Sequence, residues 1–142
     1  MVAYKTCLVN PFGVKTKLPV IRNGIQNRDY AKAFRVISNG TNSLVPLGIY
    51  LVSPSYKSLP QYETESGEFV HYTDFQLDSA NRPKEKYAAR DISVKVGGAK
   101  GTFVDVKATD DVYLICQQDC SSKEKVGFVC LKLFVNDFSR CL

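Results

Sequence analysis

Five cysteines are the first residues whose type could do chemistry: Cys7, Cys116, Cys120, Cys130 and Cys141. Four of them fall in the last 27 residues, as Cys-x3-Cys-x9-Cys-x10-Cys. Four thiolates can hold zinc tetrahedrally, but zinc knuckles favour two-residue spacings, and this pattern has none. No metal is expected. A hairpin explains two of them better. If strands 112–117 and 127–135 turn about Ser122 and Lys123, Cys116 and Cys130 become cross-strand neighbours that pack as small hydrophobes. An odd number of cysteines with no apolar leader makes reduced thiols the expectation.

His71 is the only histidine. Nucleophilic catalysis needs a base held by an orienting group beside a nucleophile, and none can be named near it. Gly97-Gly98-Ala99-Lys100-Gly101-Thr102 lacks the spacing of a phosphate loop and has no helix after it, so a turn is the plainer reading. Asp105, Asp110 and Asp111 do not form a calcium loop. Asn39-Gly40-Thr41 matches a glycosylation sequon and reads as a turn. The chain is therefore expected to be non-enzymatic, with no cofactor.

The charge pattern is more informative. The first 35 residues hold seven basic side chains against Asp29 alone, a net of +6. The remaining 107 hold twelve basic and thirteen acidic, a net of −1. Residues 1–30 are read as an extended basic arm, with Lys5, Lys15, Lys17, Arg22 and Arg28 as its contact residues. Between Gln61 and Asp78 lie five acids and no base. Glu63, Glu65, Glu68 and Asp74 form the opposing patch. The two blocks can neutralise each other within one subunit or pair head-to-tail between subunits, and charge counting does not choose. The arm also carries Tyr4, Phe12, Tyr30 and Phe34, and aromatics among cations are what single-stranded nucleic acid binds.

These residues need a scaffold, and its dominant period is two. Ile92–Val96 alternates, as do Thr102–Ala108 and Val129–Val135. Phe34–Ile37 and Leu47–Val52 are rich in branched and aromatic residues, and Glu68–Gln76 reads as an exposed strand. Asn23-Gly24, Asn39-Gly40 and Gly97-Gly98 supply turns. One short helix is expected after Pro83, over 84–90. The fold class is then all-β: a single antiparallel sandwich, immunoglobulin-like or jelly-roll-like, over residues 31–142, with the arm in front. A barrel of the oligonucleotide-binding type is the alternative.

The expected function is a structural, self-assembling β-domain that docks to neighbouring subunits as a homo-oligomer or in a larger assembly, such as a virion shell, decoration or tail component. The alternative is a single-stranded nucleic-acid-binding module. No run approaches the about 18 apolar residues of a membrane span. Synthesis in the cytoplasm without a signal peptide is expected, with the virion as a possible destination.

Overall fold

The computed structural model describes residues 17–39, 44–53, 60–76, 83–119, 131–135 and 138–141. In order these form α1 (Gly24–Ser38), β1 (Leu44–Ser53), β2 (Gln61–Thr64), β3 (Phe69–Val70), β4 (Tyr87–Asp91), β5 (Phe103–Val106), β6 (Cys116–Asp119), β7 (Leu131–Val135) and β8 (Phe138–Cys141). The protein is mostly β, with one helix among the described residues.

The helix occupies sequence expected to be extended. The asparagines of the two Asn-Gly pairs read as turns, Asn23 and Asn39, are its boundaries. Asn23 caps the N-terminus: its side chain accepts from Gln26 N at 2.8 Å. The Gln26 side chain reaches back to accept from Arg22 N, also at 2.8 Å. The cap satisfies one donor that a helix start would otherwise leave unpaired, and the second bond ties the residue before the cap to the first turn. Asn39 ends the helix in the left-handed conformation at φ 52°, which asparagine tolerates. The buried positions are Asn27, Tyr30, Ala31, Ala33, Phe34 and Ser38. Two polar residues on the inward face blur the helical period that apolar residues alone would show. Phe34 is core, as its expected strand required, but Val36 stands out in solvent.

The main sheet runs β3-β2-β1-β4-β5, antiparallel throughout. Strand β1 switches partners along its length. Leu44–Leu47 pair chiefly with β4, and Ile49–Ser53 with β2. Between these runs the β4 register shifts, and Gly48 N turns instead to Pro19 O at 2.8 Å. A Cβ on Gly48 would sit 2.8 Å from Leu18 O, so the close approach requires glycine.

Side chains alternate across this sheet. Val45, Leu47, Ile49, Ala88 and Phe103 meet Val20, Ile21, Tyr30, Ala33 and Phe34 in the larger core cluster, which seats α1 on one face. Ala89, Val106 and partly buried Leu44, Tyr50, Tyr87 and Val104 meet Leu18 and Cys116 in a second cluster.

Strands β6, β7 and β8 form a separate antiparallel sheet. Lys17 tethers to β6 through Lys17 N to Gln117 O at 3.0 Å and Gln117 N to Lys17 O at 2.7 Å.

Several local expectations are corrected. Residues 84–90 are not helical, because Tyr87–Asp91 is the interior strand β4, hydrogen-bonded on both sides. Ile92–Val96 is a turn region despite its alternation, since Arg90 and Arg35 take up its carbonyls. Of Glu68–Gln76 only Phe69–Val70 is strand. In the β6–β7 hairpin Cys116 lies opposite Phe134, not Cys130, a register four residues from the expected one. Cys116 is disulfide-bonded rather than reduced. Of the basic segment, 24–30 is helical and Leu18, Val20, Ile21 and Tyr30 are core, so apolar burial claims what its charge suggested was a free arm. Residues 1–16, with Lys5 and Lys15, lie outside the described residues.

Candidate anion-binding cleft

The inward face of α1 rests on a buried polar chain. Arg90, on β4, is 1% exposed, and Asn27 and Thr102 are fully buried. Arg90 Nε donates to Asn27 Oδ1 at 2.6 Å. Asn27 Nδ2 donates to Thr102 Oγ1 at 2.9 Å and to the Tyr72 hydroxyl at 3.1 Å. Thr102 Oγ1 donates to Asp74 Oδ2 at 2.6 Å. Three hydrogen bonds thus separate the guanidinium from the carboxylate that balances it. Each donor and acceptor is used in one sense, so the Asn27 amide has a fixed orientation.

The rest of Arg90 is held by backbone. Nη1 donates to Asp91 O and, at 2.8 Å, to Val94 O. Arg35, from α1, donates through Nε to Ile92 O at 2.9 Å. Both arginines are therefore pinned to the same turn, 91–94. Burial lowers the Arg90 pKa from its ordinary value and the nearby Arg35 lowers it further, while Asp74, Asp91 and Tyr72 oppose the shift.

Above this floor lies a cleft of about 220 Å³, lined by Arg28, Ala31, Lys32, Arg35, Arg90, Lys95 and Val96. Arg28, Lys32 and Arg35 follow the i, i+4, i+7 spacing that puts side chains on one helix face. Among the described residues five cations and no acid line it. Walls of one sign focus the field and draw in anions.

A second groove, about 270 Å³, lies between residues 17–22 and the β2–β3 turn. Lys17 and Arg22 face Glu65 and Glu68 across a floor containing Gly48 and Tyr50. Arg22 Nη1 reaches Glu68 Oε1 at 2.6 Å. The basic and acidic blocks thus meet within one chain at this pair, although an exposed pair adds at most about 1 kcal/mol.

The sequence-predicted residues separate accordingly. Arg28 enters the basic cleft, while Lys17 and Arg22 line the mixed groove. Glu63 lies on β2 opposite Tyr50 and Phe69. Asp74 turns inward to Thr102 instead of joining Glu65 and Glu68 at the surface. His71 is exposed with its ring edge-on to Phe69, 4.7 Å between centroids. Asp105 accepts from Lys84 N and Glu85 N, and Asp110 from Lys107 N, which accounts for both as loop supports. Among the described residues no three His, Cys, Asp or Glu side chains group to hold a metal. None of the described helices is long and apolar enough to cross a membrane.

Of the five cations in the cleft, sequence reasoning named only Arg28 as a contact residue and missed Lys32, Arg35, Arg90 and Lys95. Nothing in the run 84–90, which reads as a short helix, sets Arg90 apart from Lys84 and Lys86. No protein-family model, characterised protein or solved structure matches the chain.

Proposed function

We propose that this protein is a non-enzymatic binding module whose partner is a phosphate-bearing polyanion, with single-stranded nucleic acid as the class. The observation that carries this is the cleft lined by Arg28, Lys32, Arg35, Arg90 and Lys95, with no acidic side chain among the described residues. Tyr30 and Phe34, candidates for base stacking, are buried in the core. Contact through these elements is therefore with the backbone, and binding is largely independent of sequence.

Fluorescence anisotropy with a labelled oligonucleotide tests this across a salt series. Engagement of four or five cations gives a slope of log affinity against log salt of about −3. Changing Arg28 and Lys32 together to Glu should weaken binding at least about tenfold and flatten the slope. Wild-type binding that is absent at low salt, or that the double variant leaves unchanged, rejects the reading.

The assembly reading, in which the domain is a shell, decoration or tail component, is kept second. Strand β3 supports it: it ends the main sheet with exposed Phe69, and such an edge can receive a neighbouring chain. The sandwich architecture belongs with these proposals. The second core cluster supports it, because it brings Cys116 of β6 against Ala89 and Val106 of the main sheet.

A further inference from the structure

Arg90 is costly where it stands. A buried cation is normally paired directly with a carboxylate. Arg90 reaches Asp74 only through Asn27 and Thr102, and its near charged neighbour in the cleft is another guanidinium, Arg35. Nε and Nη1 are committed to Asn27, Asp91 and Val94. Nη2 donates to none of the described residues. The fork is locked in place with one donor group left over, at the floor of a cleft whose other charges, among the described residues, are all positive.

We propose that Arg90 is a preformed seat for a single phosphate group, which it holds through Nη2 with Arg35 and Lys95 closing over it. This rests on the polyanion reading and sharpens it: one phosphate of the strand occupies a fixed position, and the others lie along Arg28 and Lys32. Phosphate suits the seat better than a carboxylate. It offers more acceptor oxygens to donors converging from α1, β4 and the turn after it, and it can carry a second negative charge. The polarised chain through Asn27 and Thr102 fixes the fork before the anion arrives, so little ordering is left to oppose binding.

Inorganic phosphate is the probe. It is titrated into the wild-type protein at constant ionic strength, with acetate and chloride as controls, while the side-chain nitrogen resonances of arginine are followed. The expected result is a saturable one-site shift at Arg90, absent with acetate and chloride, and competition between phosphate and the oligonucleotide. Lys95→Gln should weaken phosphate binding about tenfold, the worth of one charge-assisted hydrogen bond. Arg90→Lys keeps the charge and loses the fork; a folded R90K protein that binds phosphate as tightly as wild type overturns the proposal. If R90K does not fold, the wild-type titration decides. An Arg90 resonance that stays still, or responds equally to acetate, also overturns it. In that event the oligonucleotide slope still stands or falls independently, so failure of the seat is distinguishable from failure of the polyanion reading.

Discussion

Tyr62 is packed in the core, stacked on Phe75 with 5.0 Å between ring centroids. Its hydroxyl is buried with no hydrogen-bond partner among the described residues. An unsatisfied buried hydroxyl costs about 1–3 kcal/mol, whereas the ring contributes by packing. Tyr62→Phe should therefore leave stability unchanged or raise it by about 1 kcal/mol in urea unfolding; a loss of more than that shows that the hydroxyl has a partner. Two tyrosines also make the protein sensitive to alkali. Burial, then Glu65 and Tyr87, pushes Tyr50 up to about 12. Burial, then Asp105, raises Tyr62 as well. A folded-state pKa above the unfolded value means that the folded state holds its proton more tightly. The contribution of Tyr50 is complete below about pH 10, the pKa of a free tyrosine, and is lost as the pH rises towards 12. Stability measured from pH 8 to 11.5 should fall above 10, and Tyr50→Phe should make the fall shallower.

Among the elements, α1 depends most on its ends. Its exposed face bears Ile25 and Val36, and its buried face bears Asn27 and Ser38, so amphipathicity alone holds it weakly. The Asn23 cap on Gln26 N, with the Gln26 side chain holding Arg22 N, fixes where it starts. Asn23→Ala should cost about 1 kcal/mol. Because α1 also supplies three of the cleft's cations, the same change should lower oligonucleotide affinity at temperatures where the first turn frays. If amide exchange over 24–28 is unchanged in that variant, the cap is not what holds the helix. The main sheet has its own constraint at the loop before β5. A Cβ on Gly101 would come within 2.4 Å of Gln76 N and 2.7 Å of Asp74 O. Thus Gly101→Ala must displace the backbone that carries Asp74, with consequences for Thr102 and the chain to Arg90.

For the whole molecule, charge distribution separates the two functional readings. The Arg22–Glu68 pair joins the basic and acidic blocks within one chain, which removes part of the reason for them to meet between subunits. Changing Glu63, Glu65 and Glu68 together to Lys should leave the oligomeric state unchanged and tighten oligonucleotide binding, because it removes repulsion from a polyanion. Light scattering and anisotropy on the same sample provide the check. Loss of self-association on this reversal would favour the assembly reading.

Sequence alone determined the β-rich character of the chain. The branched and aromatic content of Leu47–Val52 and the alternation in Thr102–Ala108 and Val129–Val135 are local, and strands lie within or across each of these segments. It also determined that positive charge gathers towards the N-terminus, since composition does not depend on folding. The helix was not legible, because its caps use the same Asn-Gly pairs that make hairpin turns, and its inward face includes Asn27. That asparagine is satisfied in its buried place by partners distant in sequence: Arg90, 63 residues away, donates to it, and Thr102 and Tyr72 accept from it. The division of the cations was likewise a tertiary outcome. Arg22 and Arg28 look alike in sequence, yet one meets Glu68 and the other joins Arg90 and Lys95. Periodicity reports on neighbours along the chain, whereas the cleft is assembled by packing one helix against a strand and a turn distant in sequence, and only the fold brings those charges together.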